Sequence, residues 1–358
     1  MNYELYISEA SPYSIKAQAL LGYTGFHHDV KIQNGWSRYR VLKRLTGKTM
    51  VPVLRKGDWA INDSTEILRY VMNRSSRPTL PRNSDATVLA WLLEDFADEW
   101  MVRWVVSSRW RHEKDAEDVQ ELLGRELLGG LSLGSKFVGD KVGAFLRERL
   151  RLWGLQEENT EAFRRSEERC LLALQNLFSG GPDYLFGGYP TVTDFAFFGA
   201  LGQFFRDPTG RQRVQQYPAV LAYIQRMGLY VQKKPTVKIK PEEERDLEEL
   251  QPLFGEALGT YWPLLLKNVE SFEGGQKSKE FEAVLLDGSK FVLLRSRYLQ
   301  NRLNFWLELI DQGYQSGDHL FGKDGLRMER ALVQKISDLS SLKEGRKMLK
   351  NYSHIGLH

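Results

Sequence analysis

The chain has 358 residues and a formal net charge of +4, with 42% hydrophobic and 27% charged residues. This balance is typical of a folded protein, and the length predicts two or three compact units. Because the small basic excess is interspersed with acidic residues, no nucleic-acid partner is predicted. Cys170 is the only cysteine, so no intramolecular disulfide can form, which is consistent with a reducing cytoplasmic location.

The chain carries no sequence signal for export or membrane insertion. The opening stretch MNYELYI has no basic region leading into an apolar run, so no signal peptide is predicted. No stretch reaches the roughly 18 uncharged apolar residues that a spanning helix needs. Membrane association through the Gly-rich segment 124–143 is a weak hypothesis, because Lys136, Asp140 and Lys141 interrupt its apolar residues.

The first 75 residues or so alternate between strand and helix patterns. Their apolar spacing and turn residues predict the order β-α-β-α-β-β-α, a compact α/β layer. In chain order the stretches are YELYIS, SIKAQALLGYTG, HHDVKI, GWSRYRVLKRL, MVPVL, WAIND and STEILRYVMNR.

Two Pro-containing polar stretches, SSRPTLPRNSD and VQKKPTVKIKPEEERD, predict domain boundaries. They divide the chain into an α/β domain over residues 1–76, an all-helical domain over 85–235 and an α+β extension over 236–358. An Asp287-Gly288 turn predicts a β-hairpin in the extension. Segment 113–143 is interpreted as an irregular connection in preference to a mobile cover. The remaining predicted helices span 86–112, 133–155, 160–179, 194–206, 218–229, 245–272, 299–313 and 325–350.

The first candidate site lies where the first strand meets a helix at Ser11-Pro-Tyr-Ser. Backbone N–H groups and positive potential at a helix N-terminus stabilise a thiolate. Ser11 cannot be a redox nucleophile, but its hydroxyl can donate a hydrogen bond to the thiolate of a bound thiol and lower that thiol's pKa. Serine followed by proline is also an ordinary helix cap, which the motif alone favours.

The second candidate site is MVPVL, residues 50–54. Proline removes a hydrogen-bond donor from a strand, so Pro52 suits an edge strand or a cis bond. A cis Val51–Pro52 bond would expose the backbone of Val51 to an extended peptide. The sequence leaves both interpretations open.

The third candidate site is INDSTEI, residues 61–67, between a strand and a helix. Ser64 and the neighbouring N–H groups form an anion site at the helix N-terminus, and Asp63 supplies a negative charge for an ammonium group. Such a pair suits the α-amino acid end of a ligand. A simple helix cap explains Ser64 and leaves Asp63 unexplained.

The order and spacing of these three motifs resemble the glutathione-binding domain of the glutathione transferase superfamily, in which a thioredoxin-like domain precedes an all-helical domain. The resemblance covers residues 3–75 and resumes at GGYPTVTDFAFFGALGQF, where Thr191 and Asp194 match the family's capping box. It implies that Val51 pairs with the cysteinyl backbone of glutathione beside a cis Pro52. The extension is similar to that of a longer, bacterial-type group.

The resemblance also implies which side chains hold the ends of glutathione. Asp63 and Ser64 would hold the γ-glutamyl end, and Lys48 could reach the glycyl carboxylate. Dimers are common in the family, so a homodimer is a possible assembly.

Ser11 falls where the resemblance places the residue that activates the sulfur, and Tyr13, Ser14 and Tyr6 remain alternatives. The family's Arg after this turn is Lys16 here, which is interpreted as a tolerable change on a helix surface. The missing Cys at position 11 argues against glutathione-dependent reduction of disulfides, because that chemistry needs a protein thiolate.

The other half of the cleft is expected from the first long helix of the helical domain. Phe96, Trp100 and Trp104 form one stripe on it, and packed core is favoured over a substrate wall. His27 and His28 face opposite ways on a strand, so no metal site is predicted. The predicted function is addition of the glutathione thiolate to an apolar electrophile; the alternative is a non-catalytic binding or assembly module.

Overall fold

A four-stranded mixed sheet forms the N-terminal layer of the computed structural model, which describes residues 2–232, 238–273 and 279–315. The strand order is β2-β1-β3-β4, with β1 parallel to β2 and antiparallel to β3. This arrangement is thioredoxin-like and confirms the predicted order of elements. The elements are β1 (Tyr3–Ile7), α1 (Pro12–Thr24), β2 (His28–Ile32), α2 (Gly35–Ser37), a π turn (Arg38–Leu42), α3 (Lys43–Thr46), β3 (Val53–Lys56), β4 (Trp59–Asn62) and α4 (Ser64–Met72).

Local sequence signals set the ends of these elements. Ser11 caps α1 ahead of a proline, and Gly25 ends the helix with a φ of 68°, a left-handed conformation that glycine adopts without a Cβ clash. Strand β3 begins only at Val53, so Pro52 lies before the strand and removes no donor from its ladder.

A set of packed helices follows, as predicted. A long helix runs from α5 (Ser84–Phe96) through a π turn (Ala97–Met101) into α6 (Val102–Arg111). The capping box of Thr191 and Asp194 is present at the start of α10. The other elements are α7 (Glu113–Leu127), α8 (Ser135–Arg147), 3-10 turns (Leu150–Trp153, Glu157–Asn159), α9 (Thr160–Phe178), α10 (Val192–Arg206), α11 (Pro208–Val214) and α12 (Pro218–Val231).

Segment 113–143 is a helical hairpin and not the irregular connection that the sequence predicted. Its glycines have two different roles. Gly129, Gly130 and Gly134 form the turn with positive φ angles, whereas Gly124 and Gly139 lie inside α7 and α8 at the point where the two backbones meet. Glycine has a low helix propensity both in a turn and inside a helix. The sequence of this segment therefore looked irregular.

Gly124→Ala is expected to destabilise this hairpin by about 1–3 kcal/mol through overpacking. A Cβ at position 124 would lie 1.9 Å from the backbone oxygen of Ser135. The control is Gly228→Ala in α12, where an added Cβ meets no atom within 4 Å, and which is expected to be neutral or slightly stabilising. The two urea midpoints are compared with wild type, and equal midpoints would contradict the prediction.

The C-terminal extension shares the core of the helical domain. The predicted hairpin at Asp287-Gly288 is confirmed, and its Phe291 ring lies 5.2 Å from the ring of Trp100. The predicted helix at 325–350 lies outside the described residues. The elements are β6 (Lys240–Glu244), paired with β5 (Gly187–Gly188), a 3-10 turn (Leu247–Leu250), α13 (Gln251–Glu256), a π turn (Ala257–Tyr261), α14 (Trp262–Glu273), β7 (Glu280–Val284), β8 (Lys290–Leu294) and α15 (Arg297–Gln315). None of the helices in the described ranges is long and apolar enough to cross a bilayer.

Candidate functional site

The three motifs singled out in the sequence lie at one end of the N-terminal sheet. Tyr6 of β1 pairs with Val53 of β3, which in turn pairs with Asn62 of β4. The turn at residues 8–11 follows β1, residues 51–52 precede β3, and residues 63–64 follow β4. Because β3 runs antiparallel to both of its neighbours, the C-terminal ends of β1 and β4 lie beside the N-terminal end of β3. The three segments therefore leave the sheet at the same end.

Ser11 is the N-cap of α1 and is half-buried. Its Oγ accepts a hydrogen bond from the Ser14 backbone N–H at 3.2 Å. This bond uses an oxygen lone pair, so the hydroxyl proton can still be donated to a thiolate. The capping that the motif favoured and the donor role implied by the resemblance are therefore compatible.

The Val51–Pro52 peptide bond is cis, as the resemblance implied. Pro52 is buried, Val51 is half-buried, and the Asn62 side-chain amide donates to the carbonyl of Met50 at 3.0 Å. This segment is thus attached to β4 at the sheet edge. Lys48 is exposed and precedes the segment, and its proposed contact with a glycyl carboxylate remains a prediction.

The N-terminus of α4 is built by Asp63, which is the N-cap, and Ser64, which is the first helical residue. The capping role that the sequence assigned to Ser64 therefore belongs to Asp63. Asp63 has a φ of 103°, a conformation that costs a non-glycine residue about 1–3 kcal/mol and is found mainly at functional sites. Its Oδ1 accepts from the N–H groups of Thr65 at 2.9 Å and Glu66 at 3.4 Å. Since Asp63 is exposed and Ser64 buried, a ligand cation could approach the carboxylate from outside.

The hydroxyl of Tyr13 is bound away from the turn. It donates to the backbone carbonyl of Asp98 at 3.1 Å. Burial, followed by the charges of Glu99 and Asp98, raises the pKa of Tyr13 well above its usual value. The phenol is therefore neutral, and its proton already has an acceptor.

The other two alternatives also have partners. The Tyr6 hydroxyl lies 3.3 Å from both Glu4 Oε2 and Arg55 Nη1, and burial raises its pKa. Ser14 Oγ accepts the Ser8 N–H at 3.2 Å, and Ser14 is 0% exposed, so it is less accessible to a ligand than the half-buried Ser11. Among the four candidates, this geometry favours Ser11 as the donor to a bound sulfur.

Lys16 does not lie on a helix surface, contrary to the interpretation from the sequence. Its side chain is 0% exposed, with Nζ 2.5 Å from Glu94 Oε1 and 2.6 Å from Asp98 Oδ2. Thr65 of α4 donates to the same Glu94 oxygen at 2.7 Å. These contacts join α1 and the candidate ligand helix α4 to α5 of the helical domain.

A second pair of buried acids on the same helix contacts the extension. Asp95 pairs with Arg302 and accepts from the Trp306 indole, and Glu99 accepts from the Tyr298 hydroxyl. Burial is the main cause that raises the pKa of Asp95 to about 7. Burial, together with the charge of Glu94, also raises the pKa of Asp98 to about 8, although Lys16 acts in the opposite direction.

We expect the protein to become less stable as the pH rises from about 5 to about 8. A carboxyl whose folded pKa is raised binds its proton more tightly when folded than when unfolded, so its contribution is present at low pH and lost as the pH rises through the folded pKa. Each such group contributes up to about 1.4 kcal/mol per pH unit. Urea midpoints measured across this range test the slope.

Asp98→Asn should flatten that slope, because asparagine cannot ionise. The exposed Asp140 on α8 supplies the control Asp140→Asn, which should leave the slope unchanged. A rising stability over the same range would contradict the assignment of raised pKa values to Asp95 and Asp98.

The aromatic stripe on this helix is packed core, which confirms the favoured interpretation. Phe96, Trp100 and Trp104 are all at most 1% exposed. The Trp100 ring lies 5.3 Å from Phe163, and that of Trp104 lies 5.3 Å from Phe204. The stripe therefore forms no substrate wall.

The sequence analysis missed two groups that hold the turn before Ser11, Glu126 of α7 and Arg109 of α6. Each is buried and contacts the turn from the helical side. It also missed the pairing of Glu94 with Lys16. One signal was available: four acids in the otherwise apolar stretch WLLEDFADEW fall at i, i+4 pairs, an unusual pattern for a packed helix.

Two family models match the chain. The model described as glutathione S-transferase, N-terminal domain, matches residues 5–79, and the model described as glutathione S-transferase, C-terminal domain, matches residues 157–226. No curated protein matches the chain. Glu126, Arg109 and α15 lie outside both matched ranges.

Solved structures similar to this chain share little sequence with it. β-Etherase LigF from Sphingobium sp. strain SYK-6 has 18% identity and a TM-score of 0.48 over 65% of this chain and 98% of its own. A GST-like protein from Pseudomonas syringae has 18% identity and a TM-score of 0.44, and the match covers 64% of this chain and 67% of that protein. A glutathione S-transferase from Methylobacillus flagellatus, solved with glutathione bound, has 17% identity and a TM-score of 0.44, and the match covers 65% of this chain and 100% of that protein. Residues 5–79 and 157–226 thus match the N-terminal and C-terminal domains of glutathione S-transferases.

Proposed function

We propose that the protein is a glutathione transferase that adds the thiolate of bound glutathione to an apolar electrophile. The observation that carries the proposal is that three features suited to binding a ligand lie together at one end of the sheet. They are the Ser11 cap of α1, the Val51 backbone beside a cis proline, and the N-terminus of α4. Together they match the chemistry of a γ-glutamyl peptide that carries a thiol.

The nucleophile in this proposal comes from the ligand. Cys170 is 0% exposed in α9, and burial raises the pKa of its thiol well above the usual value. It is therefore protonated and out of reach of a substrate. Ser11 would lower the thiol pKa of glutathione, and the two domains would position the reactants.

In the binding mode that we propose, Val51 pairs with the cysteinyl backbone and Ser64 donates to the γ-glutamyl carboxylate. Asp63 meets the ammonium group, and Lys48 meets the glycyl carboxylate. The N-terminus of α4 adds partial positive charge beside the carboxylate. A homodimer remains an expectation from the resemblance, and a cytoplasmic location remains an expectation from the single cysteine.

Ser11→Gly is expected to lower kcat/KM about 10- to 100-fold, which is about 1.4–2.7 kcal/mol, with chlorodinitrobenzene as the probe electrophile. Glycine is accepted at an N-cap, so the helix loses only a few tenths of a kcal/mol. The thiol pKa of bound glutathione should rise towards about 8.5, whereas the Kd should stay within about threefold of wild type, about 0.7 kcal/mol.

Ser11→Thr keeps both the hydroxyl and the cap and should keep the lowered thiol pKa. An unchanged pKa in Ser11→Gly, together with a raised one in Tyr13→Phe, would transfer the role to Tyr13. Glutathione binding without any lowering of the thiol pKa in the wild-type protein would favour the non-catalytic module instead.

A further inference from the structure

The turn from Ser8 to Ser11 is held from outside the N-terminal domain. We propose that Glu126 of α7 is a positioning residue that fixes this turn, and with it Ser11, for the sulfur of glutathione. The inference rests on the proposed function and extends it to the α7–α8 hairpin, which neither family model matches.

Both carboxylate oxygens of Glu126 bind the turn. Oε2 accepts from the Ser8 hydroxyl at 2.7 Å, and Oε1 accepts from the Glu9 backbone N–H at 2.6 Å. Glu126 is only 4% exposed and Ser8 only 3%. Hydrogen bonds to a buried carboxylate are charge-assisted and strong, so this contact restrains the turn more than a surface bond would.

Ser8 passes the restraint on to Ser11. The Ser8 hydroxyl also accepts from the Ala10 N–H at 3.3 Å, and the Ser8 carbonyl accepts from the Ser11 N–H at 3.1 Å. Glu126 is therefore linked through two hydrogen bonds to Ser11, the residue that we expect to donate to the sulfur. It need not touch the ligand itself.

A second contact holds the opposite side of the same turn. Arg109 Nη1 donates to the Ala10 carbonyl at 3.0 Å, and Gln203 Nε2 donates to the Glu9 carbonyl at 2.8 Å. Arg109 is itself fixed by Asp207 at 2.7 Å. The turn thus has the Glu9 N–H bound by α7, the Ala10 carbonyl bound by α6 and the Glu9 carbonyl bound by α10.

The backbone that carries Glu126 has little freedom to move. In α7, Gly124 meets the backbone of Ser135 in α8, leaving no room for a Cβ. On the other side, a Cβ on Gly35 of α2 would lie 3.3 Å from the Leu127 carbonyl. The end of α7 is therefore packed between α8 and α2, which explains how a hairpin in the helical domain can set the position of a turn in the N-terminal domain.

Glu126→Met tests the proposal, because methionine is close in size and accepts no comparable hydrogen bond. Hydrogen exchange of the Glu9, Ala10 and Ser11 amides should accelerate at least tenfold, with or without glutathione. The thiol pKa of bound glutathione should rise towards about 8.5, and kcat should fall at least fivefold, while the Kd for glutathione stays within threefold. The exposed Glu121 on the same helix supplies the control Glu121→Met, which should change none of these.

Glu126→Gln is the conservative variant. Its carbonyl can accept from the Glu9 N–H and its amide can donate to the Ser8 hydroxyl, so exchange and thiol pKa should return close to wild type. If Glu126→Met does not fold, Ser8→Ala removes one of the two bonds and is expected to give a smaller shift in the same direction.

Unchanged amide exchange in Glu126→Met, or faster exchange with an unchanged thiol pKa, would overturn the positioning role. Failure of the wild-type protein to bind glutathione would overturn the proposed function. In that case the exchange measurement still decides whether Glu126 fixes the turn, so the two failures are distinguishable.

Discussion

Replacing Lys16 with methionine is expected to lower the free energy of unfolding by about 3–5 kcal/mol. Lys16 is 0% exposed, and its ammonium group binds two buried acids, Glu94 and Asp98. The pKa of Glu94 is lowered, so Glu94 carries the negative charge at pH 7. Without it, negative charge remains in a site that water does not reach, and one acid must take up a proton or the domains must separate.

The matched control for this substitution is Lys267→Met. Lys267 forms an ion pair with Glu270 at 2.6 Å, but both side chains are about half exposed, so its loss should cost less than about 1 kcal/mol. Urea unfolding at pH 7 measures both variants. A loss of less than 1 kcal/mol in Lys16→Met would show that the buried pairs do not hold α1 to α5.

Replacing Arg302 with methionine is expected to destabilise the protein by about 3 kcal/mol at pH 8. The side chain of Asp95 is 0% exposed and that of Arg302 20%, so the pair is slightly more accessible than that of Lys16. The loss of stability should be smaller at pH 6. Asp95 has a pKa of about 7, so at pH 6 it is largely protonated and no longer needs a cation to neutralise it.

The loss of Arg302 should also loosen α15 from α5, which faster hydrogen exchange of the α15 amides would report. Arg297→Met, at an exposed position on the same helix, should leave exchange unchanged. Adding Asp95→Asn to Arg302→Met should recover part of the stability, since the uncompensated carboxylate is gone. A double variant less stable than the single one would contradict this account.

Features that depend on neighbours in the chain could be predicted from the sequence. The helix caps at Ser11 and Thr191, the hairpin at Asp287-Gly288 and the order of the first seven elements all follow from short-range signals. The cis bond at Val51–Pro52 could not be predicted from its own stretch of sequence. Only the combination of this motif with the two others favoured a cis proline over a proline in an edge strand.

Features that depend on distant partners could not be predicted in the same way. Lys16 meets carboxylates 78 and 82 residues away, and Glu126 meets a turn 117 and 118 residues away. A lysine on a helix is ordinarily exposed, and only the three-dimensional placement of Glu94 and Asp98 beside Lys16 shows why this one is not.

Calorimetric titration with glutathione, on wild type and on Ser64→Ala, is the most direct test of the central claim, with the thiolate absorbance of the bound thiol followed against pH. We predict micromolar to low millimolar binding, weakened at least tenfold by Ser64→Ala (about 1.4 kcal/mol), and a thiol pKa well below about 8.5. Absence of binding to the wild-type protein would contradict the claim and direct the search to protein partners of the extension.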